Sequence, residues 1–248
     1  MENNFINISD SEKERYAYRI MPLKRLYELF CNQENVLVKP SLWDDPFENF
    51  ILKSRVRFKN GSIHRLAHKD GFYGQCWTLN KASDAMWRIY SPEKNSVRVR
   101  TTINKLFYGL YDAQIGSGLR NETCFIGKVD YLNSHNIKKF SATVFREQAG
   151  TRMYSLASSL CVKRLAFKHE SEVRLLYFEH DMSKYNEELF RYQFDAHHII
   201  DQLMLDPRLS LDEAELVKSE IKQKTGFNGA IKRSLLYAMP EEVVIEVK

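Results

Sequence analysis

The chain has 248 residues, 44% of them hydrophobic and 28% charged, which is typical of a globular protein and excludes a low-complexity chain. The formal net charge of +5 fits an anionic ligand such as a nucleotide, or weak attraction to nucleic acid, without choosing between them. No apolar run approaches the ~20 residues that a membrane span needs, and the N-terminus lacks a signal-peptide pattern. We therefore expect a cytoplasmic protein with no membrane partner.

Cysteine spacing supports the same location. Four cysteines lie far apart and none forms a CxxC pair. This pattern predicts free thiols in a reducing compartment and no structural zinc site.

Strand and helix patterns alternate along the chain. We expect residues 1–14 to be a loose lead-in and residues 15–248 to form a single α+β domain, because no linker-like stretch interrupts them. Strands are predicted over RYAYRI, NVLVKP, FYGQCWTLN, SVRVRTT (half-exposed), TCFIGKVDYL, HIIDQLMLDP, AIKRSLLYA and EVVIEVK. Helices are predicted over PLKRLYELFCNQ, SDAMWRIYS, INKLFYGLYDAQI, FREQAGTRMYSLASSLCVKRLAF and SLDEAELVKSEIKQKTG.

The phrase SLWDDPFENFI predicts the start of another helix. Asp45 suits the cap, Pro46 the first helical position, and Glu48 would complete a capping box. Alternatively, Asp45 and Glu48 could bind a metal ion together with Asp44.

The segment from Ala166 to His180, AFKHESEVRLLYFEH, predicts a strand that leaves the core and enters a polar site. Alternation places Glu170, Glu172 and Arg174 on one face, followed there by apolar residues. The alternative is a salt-bridge set, which when exposed stabilises a fold by only about 0–1 kcal/mol.

Four further residues are candidates for a binding site. Arg19 lies in a strand pattern, Thr78 near the end of another, and Trp87 and Tyr90 one turn apart in a helix pattern. Each also fits a structural role: a surface arginine, a strand end, and two core aromatics. The chain contains no GxSxG, GxxxxGK[ST], HExxH or GxGxxG motif.

Several phrases together resemble one bacterial family, catalogued as domain of unknown function 2971. They are, in order, YRI, SLWDDPFEN, YGQCWTLN, DAMWRIYS, FKHESEVRLLYF, IIDQLMLDPRLS and RSLLYA. The resemblance covers nearly the whole chain. Relatives of this kind are often found near mobile elements and defence genes, which implies a toxin or phage-defence effector with a defence-system partner protein.

The order of arginine, small hydroxyl residue and Glu-x-Glu is similar to the arginine–serine–glutamate pattern of ADP-ribosyltransferases. That resemblance implies a mostly antiparallel mixed sheet with flanking helices, an ADP-ribosyltransferase-like core and NAD as substrate. Glu172 would stabilise the positive charge that develops as the glycosidic bond breaks, and Glu170 would orient or deprotonate the acceptor. The residues expected to bind NAD are Arg19, Thr78 in the serine position, Trp87 or Tyr90, and Arg174.

Three functions remain open from the sequence. The first is an NAD-dependent ADP-ribosyltransferase or NAD glycohydrolase, with a nucleic-acid or protein acceptor and no metal. The alternative is a non-catalytic nucleotide or nucleic-acid binding module of a defence system. It would use a basic surface formed by Arg98, Arg100, Lys128, Lys138, Lys139, Lys163 and Arg164. A third option is a metal-dependent nuclease that uses the acids around Asp45 together with Glu170 and Glu172.

Overall fold

The computed structural model describes residues 4–45, 47–57, 60–66, 68–81, 83–116, 120–143 and 152–237. The described strands are β1 (Phe5–Ile6), β2 (Tyr16–Pro22), β3 (Glu34–Val38), β4 (Arg55–Arg57), β5 (Ile63–Arg65), β6 (Phe72–Thr78), β7 (Ser96–Thr102), β8 (Cys124–Lys128), β9 (Asp130–Leu132), β10 (Val162–Arg164), β11 (Glu172–Phe178), β12 (Leu189–Gln193), β13 (Gln202–Leu205) and β14 (Ala230–Arg233). The described helices are α1 (Leu23–Cys31), α2 (Phe50–Lys53), α3 (Asp84–Tyr90), α4 (Ile103–Ala113), α5 (Arg120–Thr123), α6 (Ser134–Thr143), α7 (Arg152–Ser159), α8 (Ala196–Ile199) and α9 (Leu211–Thr225).

Ten of these strands form one sheet in the order β1-β8-β11-β6-β2-β7-β13-β14, with β3 and β12 attached beside β6. Only the β1–β8 and β13–β14 pairs of this sheet are parallel. Strands β9 and β10 form a small parallel pair, and β4 and β5 an antiparallel one. The predicted α+β class, with a mostly antiparallel mixed sheet and flanking helices, is therefore confirmed.

The main sheet forks at β6. Thr78, at the end of β6, pairs with Tyr18 of β2, whereas Gly74, near its start, pairs with Val38 of β3. Two neighbouring strands therefore share one edge of β6 and diverge between these points. The opening lies beside the middle of β6, where Cys76 is located.

Helices cover both faces of the sheet and bury two apolar clusters. The larger cluster contains residues of β2, β6, β7, β11 and β13 on one face, with α1, α4, α8 and α9 packed over them. The smaller contains Phe72, Leu176 and Phe178 on the opposite face, beneath α2 and α7. Strand β11 contributes to both clusters because alternate residues point to opposite faces, and all seven of its residues are buried.

Local signals predicted several helices correctly. Ser83 caps α3, since its hydroxyl accepts a hydrogen bond from the Met86 amide. Ser210 and Glu213 form the predicted capping box of α9, which ends at Gly226 in the left-handed region.

Several predicted elements differ in the structure. Phe5–Ile6 pairs with β8, so this part of the expected loose lead-in is a buried strand. The predicted long helix ending near 167 is α-helical only over Arg152–Ser159 within the described residues, and β10 and a 3₁₀ helix follow it. Strand β7 is mostly buried rather than half-exposed, because β2 and β13 pair with both its edges. The predicted strand EVVIEVK lies outside the described residues.

Residues 47–49 form a turn rather than the predicted helix start, and Pro46, predicted for the first helical position, lies outside the described residues. Asp45 Oδ1 accepts a hydrogen bond from the Phe47 amide, but helix α2 begins only at Phe50. The Glu48 side chain does not complete a capping box; it forms ion pairs elsewhere in the fold.

Candidate functional site

Glu172 lies at the first position of β11, in a row that crosses three strands. It pairs with Thr78 of β6, and Thr78 pairs with Tyr18 of β2. Directly paired residues of antiparallel strands point to the same face. Arg174 follows on that face and pairs with Cys76.

Glu170, by contrast, precedes the strand. A 3₁₀ helix covers Leu165–Glu170, so the predicted strand from Ala166 begins only at Glu172. Between the two glutamates, Ser171 adopts a left-handed conformation with φ of 46°. This turn, rather than strand alternation, brings both carboxylates to one point.

The carboxylates of Glu170 and Glu172 meet at the ammonium group of Lys163, on β10. Its Nζ lies 2.7 Å from Glu48 Oε1 and 2.8 Å from Glu172 Oε1. It also donates a hydrogen bond to Glu170 Oε2. The Lys163 side chain is only 5% exposed, and an ammonium has three protons to donate. Three carboxylates therefore occupy its whole donor capacity.

Arg174 completes this buried cluster. Its Nε donates to Glu172 Oε2 over 2.7 Å, and its Nη1 donates to the Leu160 carbonyl over 2.6 Å. Its Nη2 lies 3.2 Å from Glu48 Oε1. The guanidinium packs 4.5 Å from the ring centre of Trp43. Arg174 is fully buried and its contacts in this structure are with Glu172 and Glu48, so its predicted role in cofactor binding stays a prediction.

The cluster separates the acidities of the two glutamates. Burial alone would raise the pKa of Glu172, but Arg174, Glu170 and Lys163 together lower it to about 2. Burial and the hydrogen bond with Glu172 raise the pKa of Glu170 to about 7, against the opposing effect of Lys163. Burial would lower the pKa of Lys163, but the surrounding carboxylates raise it. At neutral pH the cluster therefore contains an ionised Glu172 beside a Glu170 that can take up or release a proton.

Thr78 and Asn80 hold the backbone that precedes Glu172. The Thr78 hydroxyl donates to the Glu170 carbonyl over 2.5 Å and accepts from the Asn80 amide. The Asn80 side chain donates to the His169 carbonyl. Thr78 is buried and its hydroxyl is engaged, so in this structure it positions the Glu170 turn.

Arg19 lies at the fork of the sheet, next to Tyr18 in β2. Because successive side chains of a strand point to opposite faces, the Arg19 side chain leaves β2 on the face opposite Thr78 and Glu172. Arg19 is partly buried, and none of the residues that the structure describes gives it a hydrogen bond or ion pair. Burial lowers its pKa, while Cys76, Tyr192 and Tyr90 act in the opposite direction. Arg19 is thus a desolvated cation without an anionic partner in the described part of the chain.

Tyr90 lies near enough to Arg19 and to the carboxylate cluster to interact electrostatically with both. Burial, and after it Glu170 and Glu172, raise the pKa of Tyr90 to about 12. Its side chain is 44% exposed, whereas Trp87 is 1% exposed and lies in the interior. Of these two aromatic candidates, Tyr90 is therefore the one that a ligand can contact.

Cys76 also faces this region. Burial and the neighbouring Glu172 raise the pKa of its thiol to about 12. The thiol stays protonated at neutral pH, so Cys76 is not a thiolate nucleophile.

The seven residues of the predicted basic surface differ in exposure: Lys138 and Lys139 are exposed, whereas others are buried or ion-paired. Arg98 and Lys163 are buried, and Arg100, Lys128 and Arg164 form ion pairs with Asp201, Glu12 and Asp45 respectively. Within the described ranges, no group of three or more His, Cys, Asp or Glu side chains is arranged to hold a metal ion. Lys163 occupies the point at which three of the carboxylates proposed for a nuclease metal, those of Glu48, Glu170 and Glu172, converge.

Sequence reasoning missed the roles of Lys163 and Glu48. Lys163 was assigned to the basic surface, and Glu48 to a helix cap. A lysine within a mostly apolar phrase, CVKRLAF, was the available signal for burial, but it did not indicate which carboxylates would surround it.

A cavity of about 540 Å³ lies elsewhere, between α4 and the chain around α8. Its polar lining includes Asn104, Lys105, Asp195 and His198. None of the candidate site residues lines this cavity, so its size does not bear on the carboxylate cluster. No described helix has the length and apolar character that crossing a membrane requires.

No family model and no curated protein matches the chain, so the resemblance to domain of unknown function 2971 is not confirmed. Similar solved structures include Thermus sp. 2.9 DarT in complex with NAD+, with a TM-score of 0.38 and 9% identity, covering 92% of this chain and 98% of that one. The same protein in complex with ADP-ribosylated ssDNA gives a TM-score of 0.40 and 9% identity, over 92% and 96% of the two chains. Its complex with carba-NAD+ gives a TM-score of 0.38 and 10% identity, covering 90% of this chain and 96% of that one.

Proposed function

We propose that the chain cleaves the nicotinamide–ribose bond of NAD and transfers ADP-ribose to water or to an acceptor. The observation that carries this proposal is an ionised carboxylate, Glu172, held in a buried position by two cations beside a sheet fork, where Arg19 has no anionic partner among the described residues.

Glu172 supplies the central electrostatic interaction. As the bond from the ribose carbon to the nicotinamide nitrogen breaks, its electron pair leaves with nicotinamide and the ribose becomes cationic. A fixed negative charge in a water-poor site stabilises that cation more than it stabilises the substrate. Arg174 and Lys163 keep the carboxylate ionised and oriented.

Arg19 is the proposed contact for the NAD diphosphate. A guanidinium binds phosphate oxygens in a bidentate manner, and the interaction is strongest where water is scarce. Arg19 meets this description, because it is partly buried and has no partner among the described residues. Tyr90, which is partly exposed and close enough to Glu170 and Glu172 to feel their charge, would stack on the nicotinamide ring.

Glu170 is the proposed base for the second step. A nucleophile that attacks the ribose cation loses a proton, and the deprotonated Glu170 carboxylate can accept it. Because the pKa of Glu170 is raised to about 7, the basic form is abundant only at neutral pH and above. Transfer to an acceptor should therefore increase as the pH rises through about 7.

Glu172→Gln tests this function. The substitution keeps the side-chain size and removes the charge, and the cluster retains two cations and two carboxylates, so we expect the protein to fold. Nicotinamide release, measured by chromatography, should fall about 100- to 1000-fold. The matched control is Glu12→Gln, which removes a surface glutamate that pairs with Lys128 and should leave release unchanged.

Two outcomes would contradict the proposal. A wild-type protein that neither binds nor cleaves NAD, with a nucleic-acid or protein acceptor supplied, would exclude it. Binding of NAD without cleavage would instead favour the non-catalytic nucleotide-binding module. Melting temperatures of both variants serve as the folding control.

A further inference from the structure

The charged cluster contains an odd number of groups. Lys163 and Arg174 are positive, and three carboxylates, those of Glu48, Glu170 and Glu172, can be negative. With every group ionised the net charge is −1. All five side chains are at least nine-tenths buried, and an unbalanced charge is costly in such surroundings. One additional proton makes the cluster neutral.

The contacts indicate where that proton resides. Glu172 interacts with both cations, through one oxygen to Lys163 and through the other to Arg174. Glu48 also lies beside both cations. Among the described cations, Glu170 pairs with Lys163 alone, and the neighbouring Glu172 raises the pKa of Glu170. Glu170 is thus the carboxylate with the least compensation, and it is the one most easily protonated.

We propose that Lys163 and Glu48 are positioning residues of the candidate site, which together with Arg174 leave the Glu170–Glu172 pair one proton to share at neutral pH. This inference rests on the proposed function, because it sets the pH at which Glu170 becomes the base of the transfer step. Neither positioning residue needs to touch the substrate.

Groups from every neighbouring element act on this pair. Besides the five members of the cluster, they are Cys76 on β6, Cys161 just before β10, Tyr90 on α3 and Tyr131 on β9, whose hydroxyl accepts a hydrogen bond from the Glu172 amide. Burial and the nearby glutamates raise the pKa of Tyr131, and burial raises the pKa of the Cys161 thiol to about 12. All four remain neutral over the range in which Glu170 titrates, so they do not alter the charge count.

Two substitutions should move the titration of Glu170 in opposite directions. Glu48→Gln leaves two cations and two anions, so the cluster is neutral without the extra proton. The Glu170 midpoint should fall by about one pH unit or more. Lys163→Met leaves one cation and three carboxylates, so the midpoint should rise by a similar amount. A purely structural role would not predict opposite signs.

The experiment combines two readouts. The first is the pH dependence of ADP-ribose transfer by each variant. The second is carbon NMR of protein labelled at the glutamate side-chain carboxyl, in which the Glu170 resonance is assigned by its loss in Glu170→Gln. The double variant Lys163→Met with Glu48→Gln keeps one cation and two carboxylates. This double variant still tests the inference if Lys163→Met alone does not fold. The midpoint of its Glu170 titration should lie at higher pH than that of Glu48→Gln.

The two readouts separate this inference from the proposed function. Opposite shifts in the NMR titration support the proton-sharing cluster even in a protein that does not cleave NAD. A wild type that cleaves NAD, with Glu170 midpoints that stay the same in all variants, overturns the cluster inference alone. A Glu170 carboxyl that titrates at its ordinary pKa in the wild type overturns it as well.

Discussion

Arg19 and Arg100 lie on neighbouring strands and differ in their partners. Arg100 forms a bidentate pair with Asp201, at 2.7 Å from Nε to Oδ1 and 3.2 Å from Nη2 to Oδ2. Arg19 has no anion beside it among the described residues, and burial lowers its pKa. Because a desolvated charge without a partner costs stability, its presence at the fork favours a role in ligand binding over a role in folding.

Arg19→Gln should therefore weaken NAD binding while leaving the melting temperature unchanged or higher. The loss of a charge-assisted hydrogen bond predicts a dissociation constant about 10- to 100-fold larger, measured by calorimetry. Arg100→Gln is the matched control on the adjacent strand. It breaks the Asp201 pair, so it should lower the melting temperature and leave NAD binding intact. Equal NAD affinity in wild type and Arg19→Gln would argue against the diphosphate contact.

The turn before β11 decides whether the two glutamates meet. Ser171 has φ of 46°, a conformation that glycine adopts freely and that β-branched residues strongly resist. The Leu79 amide donates to the Ser171 carbonyl, and Thr78 holds the Glu170 carbonyl. The end of β6 and this turn thus fix each other.

Ser171→Val should destabilise the protein by about 1–2 kcal/mol, because the side chain opposes the left-handed conformation. It should also lower nicotinamide release, since Glu170 and Glu172 would no longer both reach Lys163. Ser171→Gly keeps the conformation accessible and should retain the activity and most of the stability. Urea denaturation and chromatography measure the two effects, and equal stability of the valine and glycine variants would show that the turn is not constrained.

Elements whose signals are local were predicted from the sequence, and contacts between distant elements were not. The Ser83 cap and the Ser210–Glu213 box depend on residues three positions apart, so the sequence reveals them. The alternation of Glu172 and Arg174 was likewise visible. The meeting of Glu48 with Lys163 depends on where the Asp45 turn and β10 pack, which no local pattern specifies. Trp87 and Tyr90 similarly differ in exposure only through tertiary packing.

At the scale of the whole molecule, the N-terminal strand connects the two apolar clusters. Phe5 lies in the larger cluster, where the centre of its ring is 4.6 Å from the ring centre of Phe107. Ile6 lies in the smaller cluster. Strand β1 pairs with β8, which pairs with β11. The residues expected to be a loose lead-in thus support the sheet next to the strand that presents Glu172.

Phe5→Ala tests this support and, with it, the proposal of one undivided domain. Removing a buried phenylalanine should reduce the free energy of unfolding by about 3–5 kcal/mol. The control variant Leu216→Ala removes an exposed side chain of α9. It should change the free energy of unfolding by less than about 0.5 kcal/mol. Because the main sheet extends from β1 to β14, a loss at β1 should destabilise the whole fold at once. Tryptophan fluorescence and circular dichroism should then report a single shifted transition. Two separate transitions, or no effect of Phe5→Ala, would show that the N-terminal strand is not part of one cooperative unit.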